Sequence, residues 1–321
     1  MSAPPAASGA DRYAGGFSRL PDIAFRNGTR VLGWLIVGIL VLLAIELTTN
    51  GALAFRTFGL GFVTGVVWDP VKSIYGALPY IVGTLAASLI ALVLAAPIGV
   101  MTAIFLSELA PRRLAIPLTL TIELLAAIPS VVYGLWGIFV LSPFLRTTVE
   151  AWIVHTFGWI PIFAGPTFGI GLFSAAVILT IMILPTIVSI SREVIASVPG
   201  THREAMLALG ATRWEMIRRA VIPAARSGIV GAIILGLGRA LGETMAVTMV
   251  IGNGQGMPTS IFSTAQTIAS QIATTFNEAS IGLQTSALIA LGLILLVITI
   301  SLNIVARLLV WRVSRAVPGN R

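Results

Sequence analysis

Arg239 and Glu243 stand four apart in the string G-L-G-R-A-L-G-E-T-M-A-V-T-M-V, which carries no other charge. In a helix that spacing puts both side chains on one face. A charge at membrane depth costs roughly 2.5–3.5 kcal/mol on insertion scales, so the two must pair, face a wet cavity, or both. The guanidinium is a planar fork of donors suited to a tetrahedral oxyanion, with Glu243 holding the fork in place. The same two residues equally suit a structural ion pair that locks a helix bundle, and the two readings are compatible. Thr244 and Thr248 supply hydroxyls on an adjacent face, and Gly238 and Gly242 give a neighbouring helix close access. Glu123, near Pro129, is a second acid in an apolar run. It offers a partner to Arg239 or to an arginine of a second subunit, or it is a pore-lining or simply capped carboxylate. Glu46 lies near an apolar run's outer end and reaches the interface.

A different chemistry is written between Thr201 and Pro223, in T-H-R-E-A-M-L-A-L-G-A-T-R-W-E-M-I-R-R-A-V-I-P. Thr201 and Glu204 have capping-box spacing, as do Thr212 and Glu215. The first box predicts a helix over 202–209, about 12 Å long at the α-helical rise. Gly210 suits a left-handed stop, and Pro223 marks where the second helix bends or ends. Two short helices joined at a glycine form a compact knob fit for docking. The plain alternative is an amphipathic surface loop.

Other chemistry is poorly served. The chain has no cysteine, which removes disulfide, thiolate-metal and thiol-redox sites. His155 and His202 fall on opposite sides of the alternating spans described next, so they share no metal. The only lysine, Lys72, lacks the glycine pattern of a phosphate-binding loop, so ATP is not bound by that route. No convergent Ser-His-Asp set is visible.

The elements that must hold these residues are membrane spans. Of 321 residues, 57% are hydrophobic and 10% charged. Six apolar runs, 31–47, 80–106, 114–145, 172–190, 229–251 and 283–309, predict an all-α integral membrane protein. The third is too long for one straight span and holds Pro117 and Pro129, which predicts a kink or break. Arginines sort by side. Arg12, Arg19, Arg26, Arg30, Arg112, Arg113, Arg192, Arg203, Arg213, Arg218, Arg219, Arg226, Arg307, Arg312, Arg315 and Arg321 share one side if the spans alternate. Only Arg56, Lys72 and Arg146 fall on the other. That bias puts both termini and the knob in the cytoplasm. The net charge of +8 is therefore a topology signal and not a nucleic-acid patch. On the outer side, Val149, Trp152, Ile153 and Phe157, and again Ile261, Ala265, Ile268, Ile272 and Phe276, have helical spacing. Both segments read as amphipathic helices lying on the bundle, with seating of an external partner as the alternative. No internal repeat is evident.

Three segments carry a family resemblance. Ile122–Gly137 reads I-E-L-L-A-A-I-P-S-V-V-Y-G-L-W-G, Leu237–Val247 reads L-G-R-A-L-G-E-T-M-A-V, and Glu204-Ala205 is followed by Gly210 and then Ile222-Pro223. The last resembles the coupling motif of ABC-importer permeases, with Met206 in place of its second alanine and Ala220 in place of its usual isoleucine. Together they resemble phosphate permeases of the PstC type, over about residues 79–312. The resemblance implies a six-helix type I importer permease: a cytoplasmic tail (1–30), a first helix with outer loop (31–78), a core holding helices two to six and the coupling segment (79–312), and a closing cytoplasmic tail (313–321). It implies import of inorganic phosphate in the inner membrane of a bacterium. Arg239, Glu243, Glu123, Thr244 and Thr248 would belong to the substrate path. Thr201, Glu204, Ala205, Gly210, Glu215 and Pro223 would belong to the coupling segment, 201–223. The implied partners are a PstA-type permease, a PstB-type ATPase dimer, a PstS-type binding protein and membrane lipid, with no nucleic acid. ATP and Mg would sit on the ATPase, and no cofactor on this chain. The alternatives are a permease for molybdate or sulfate, or a channel or membrane enzyme with no ATPase partner.

Overall fold

A computed structural model describes the backbone of residues 19–315 and the side chains of 23–308. Of the predicted tails, 1–30 and 313–321, residues 1–18 and 316–321 lie outside the described residues. In chain order the helices of more than four residues are α1 (Arg19–Phe58), α2 (Leu78–Leu109), α3 (Arg112–Ala127), α4 (Ser130–Phe157), α5 (Leu172–Ala196), α6 (Gly200–Ala208), α7 (Arg213–Gly242), α8 (Met245–Val250), α9 (Ile268–Thr275) and α10 (Leu283–Arg315). Six of them, α1, α2, α4, α5, α7 and α10, are long and apolar enough to cross a bilayer. A two-residue hairpin, β1 (Trp68–Asp69) with β2 (Ile74–Tyr75), is the only sheet among the described residues. The chain forms two compact units, Met1–Thr49 and Asn50–Arg321. Residues 19–30, expected in a tail, are the first turns of α1.

Within the second unit α5 is the most buried span. Its main partner is α2, and the reason is written in α2's sequence. Gly83, Ala87, Ala91, Ala95, Gly99 and Ala103 recur at every fourth position and are all buried. Without large side chains between them, two backbones approach closely, the arrangement favoured for helices in lipid. Ile178, Leu179, Met182, Ile183 and Ile187 of α5 fill the groove beside the three central alanines. A second core lies around the hairpin. Phe62, Trp68, Tyr75 and Tyr80 pack with Ile268, Leu288 and Leu291. Trp68 meets Tyr75 and Tyr80 edge-on, with ring centroids 4.8 and 5.4 Å apart.

The third apolar run does not cross where hydropathy places it. Pro129 breaks it as predicted: the chain is extended at Ile128 and Pro129, and α4 starts at Ser130. The preceding piece, α3, has 16 residues, about 24 Å at the helical rise and short of a bilayer core. Pro117 sits inside α3 without breaking it. Because the crossing starts late, it also runs on late. Val149, Trp152, Ile153 and Phe157 are therefore the end of α4 and not a separate helix lying on the bundle. The other outer segment is partly as expected. Residues 268–275 form α9, opened by a capping box of Thr267 and Ser270, but Ile261 and Ala265 precede it in irregular chain.

Pro143 and Pro223 each follow a five-residue π-turn, Gly137–Leu141 and Ile217–Val221. A proline lacks the N–H of the ladder and crowds the carbonyl four residues back. A widened turn relieves that crowding without ending the helix. Pro223 was expected to bend or end its helix. The helix instead continues through the π-turn into the fifth span.

Candidate functional site

The sequence places Arg239 and Glu243 on one face of one helix. The structure does not. α7 ends at Gly242, Glu243 is extended (φ −69°, ψ 128°), and α8 starts two residues later. The break turns Glu243 away from its expected partner. Its Oε1 accepts from the Ala246 N–H at 3.3 Å, so the carboxylate satisfies an amide freed at the start of α8. Arg239 Nη1 donates to Thr186 Oγ1 at 3.4 Å. Among the described residues the two ion pairs are Lys72–Asp69 and Arg203–Glu108, and neither includes Arg239. Arg239 thus holds a guanidinium at the end of a membrane helix with one long hydroxyl contact and no carboxylate.

The break between α7 and α8 lies against the break between α3 and α4, because α8 packs on the first turns of α4. There Tyr133 donates from its hydroxyl to the Leu125 carbonyl at 2.8 Å, capping the last turn of α3. Each interruption therefore brings a side chain that satisfies a released backbone group. Thr244 Oγ1 donates to the Gly242 carbonyl at 3.3 Å, whereas Thr248 Oγ1 donates at 2.7 Å to the Thr244 carbonyl, which already accepts the Thr248 N–H at 2.9 Å.

α7 also presents an uncovered strip. A Cβ added at Gly231, Gly238 or Gly242 would meet no atom within 4 Å, and Leu235 between them is 57% exposed. Gly238 and Gly242, expected to give a neighbouring helix close access, receive none among the described residues. The close approaches on α7 are made elsewhere, by Gly236 against Ile187 and by Gly228 against Val194. Arg239 borders the open strip. Glu123, expected to be buried, is exposed on α3 and has no hydrogen bond or ion pair among the described residues, so it pairs with neither Arg239 nor any other arginine among them. It faces outward because α3 lies ahead of the crossing and not inside it.

The knob forms at 200–216. Gly210 takes φ +80°, the left-handed stop its position predicted, and the Ala211 N–H closes the turn on the Met206 carbonyl at 3.1 Å. Thr212 and Glu215 form the second capping box. The first box is absent. α6 starts at Gly200 with Pro199 as its cap residue, and no side chain caps it. Pro199 fixes an extended entry two residues too early for Thr201, which stands inside the first turn with Glu204 exposed one turn on. Sequence reasoning missed Glu108 entirely. Its carboxylate, 6% exposed, takes Arg203 Nη2 at 2.7 Å and Nε at 3.3 Å. The available signal was an acid closing an apolar run, just before A-P-R-R.

Residues 95–315 match the family described as "Binding-protein-dependent transport system inner membrane component". The chain belongs to this family. A phosphate transport system permease protein PstC of Mesorhizobium japonicum is 48% identical over 299 residues, 92% of this chain and 91% of that one. A PstC protein of Pasteurella multocida is 45% identical over 298 residues, 92% and 93% of the two chains. Among solved structures, a chain of a bacterial alginate ABC transporter has a TM-score of 0.59 at 18% identity, covering 92% of this chain and 98% of its own. A chain of the MetNI methionine ABC transporter has a TM-score of 0.57 at 19% identity, covering 77% and 99%. The fold is thus that of a type I ABC-importer permease. As a member of the transport family, the chain is a multi-pass inner-membrane component and not an enzyme.

Proposed function

We propose that this chain is a permease subunit of an ATP-driven importer of inorganic phosphate and forms half of its translocation path. The observation that carries the reading is the extent of likeness to proteins named as phosphate transport permeases, nearly half the residues over nearly the whole of both chains. The geometry supports it. Arg239 stands at a helix break, paired with no carboxylate among the described residues, beside an open strip of α7. Interrupted helices are where transporters place binding groups within a membrane. A guanidinium there offers a two-point fork to a tetrahedral oxyanion. Glu243 and Thr244 fix the break, and Thr248 lines the first turn beyond it.

The chain is one part of a larger complex. The open strip and the exposed apolar α3 belong against a PstA-type permease. The knob, with Thr201, Glu204, Ala205, Gly210, Glu215 and Pro223, docks a PstB-type ATPase dimer that supplies ATP and Mg. A PstS-type binding protein delivers phosphate from outside. Both termini and the knob lie in the cytoplasm, by the arginine bias. The test is uptake of labelled phosphate into proteoliposomes holding the whole complex, with molybdate, sulfate and unlabelled phosphate as competitors. Phosphate alone should compete at equal concentration. Equal competition by sulfate or molybdate would replace phosphate as the substrate.

A further inference from the structure

Arg203 occupies a place that neither the coupling motif nor the substrate path explains. Of the nine residues of α6, Gly200–Ala208, only Arg203 and Met206 are even partly buried. They stand three apart, on one face. Met206 packs against the core that includes Leu106, Ile195 and Ile217. A thioether in such a core holds a helix close without fixing its direction. Arg203 does fix direction. Its Nη2 and Nε reach the Glu108 carboxylate of α2, Nη2 also donates to the Ile195 carbonyl at 2.9 Å, and Nη1 donates to the Val198 carbonyl. Ile195 lies in the last turn of α5 and Val198 just beyond it. One planar group thereby ties α6 to the ends of two spans at once. A lysine ammonium has no planar fork to replace it.

We propose that the Arg203–Glu108 pair is a strut that carries displacement of the docked knob to the knob-side ends of α2 and α5. Both are positioning residues, because neither is placed against substrate or nucleotide. α2 and α5 share the most extensive helix–helix contact among the described residues, so a push delivered at their ends moves them as one body. Without the pair, α6 keeps Met206 and the Arg203 bonds to the Ile195 and Val198 carbonyls but loses its tie to α2, and tilts before it pushes both spans. This rests on the reading of α6 as the ATPase-docking element.

The chain has no native cysteine, which makes a covalent substitute for the strut clean to build. Glu108→Gln and, separately, Glu108→Cys with Arg203→Cys are assembled in the full complex in proteoliposomes. Phosphate transported per ATP hydrolysed is the first readout. The permease-induced change in ATP hydrolysis, which does not depend on substrate identity, is the second. Glu108→Gln should lower both at least fivefold, with the ATPase still co-purifying at the native ratio. The double-cysteine complex should behave alike, and a flexible bifunctional thiol reagent should restore at least half of the native ratio while a monofunctional reagent does not. Unchanged coupling in Glu108→Gln overturns the strut, as does a cross-link without recovery or loss of the ATPase from the complex. Failure of the phosphate reading shows elsewhere, as absent phosphate uptake by the native complex, and leaves the hydrolysis readout to decide the strut.

Discussion

At the scale of single residues, Arg239 and Glu243 are the informative case, because their spacing and their geometry disagree. Four apart in a continuous helix they would pair, and opposite charges in contact attract by about 4 kcal/mol at an intermediate dielectric. The chain forgoes that attraction and spends Glu243 on a backbone amide instead. A structural pair would be rescued by exchange, so the variant Arg239→Glu with Glu243→Arg separates the two roles. It should not restore uptake, since the side chains do not meet. Arg239→Gln should reduce phosphate uptake at least a hundredfold, about 2.7 kcal/mol, with the ATPase still recovered in a pull-down. Full uptake by Arg239→Gln would remove Arg239 from the path. The break itself was legible. Gly242 is a helix-stopping residue and Thr244 a helix-starting one, but the apolar residues around them masked the signal in a hydropathy reading.

At the scale of elements, the glycines of the two knob helices and of α2 make opposite predictions. Gly210 is open on all sides, so a side chain there meets nothing. Its φ of +80° nonetheless penalises a β-branched residue, by about 1–2 kcal/mol for the left-handed conformation. Gly210→Val should leave the complex assembled and lower phosphate transported per ATP. Gly99 is the reverse: its backbone is regular helix, but an added Cβ stands 2.8 Å from Ile187 Cγ2. Gly99→Leu overpacks the α2–α5 contact and should cost about 1–3 kcal/mol, read as a lowered unfolding temperature in detergent. Gly238→Ala, beside an open face, should leave that temperature unchanged. The run of small residues from 83 to 103 was fully visible in the sequence. It passes unnoticed because a search for apolar length ignores side-chain size. By contrast, the division of 112–157 into α3 and α4 depends on which prolines break a helix. Pro129 does so and Pro117 does not, and packing rather than residue type decides between them.

At the scale of the whole molecule, the exposed apolar surface is too extensive for lipid contact to be its only use. On α3, Leu114, Ile116, Leu120 and Leu124 are all more than half exposed, although the helix is too short to span. On the knob, Leu209 is 83% and Trp214 59% exposed. These patches lie on different elements and suit different partners, another permease for α3 and an ATPase for the knob. Affinity purification of the tagged chain should recover a second six-span protein together with an ATPase. Transport of phosphate by the isolated chain in liposomes would contradict this. The number of spans and the knob were readable from hydropathy and capping signals. The struts between elements were not, because Glu108 and Arg203 lie 95 positions apart and nothing local marks them as a pair.

The hairpin of β1 and β2 has a practical consequence. Its turn carries Lys72, the chain's single lysine, whose side chain is 74% exposed with its Nζ 3.7 Å from Asp69. An amine-reactive label that cannot permeate a bilayer therefore has one internal target in the entire polypeptide. In intact spheroplasts it should tag the peptide bearing Lys72 and leave the α-amino terminus unmodified until the membrane is opened. The reverse order of labelling would invert the topology inferred from the arginines.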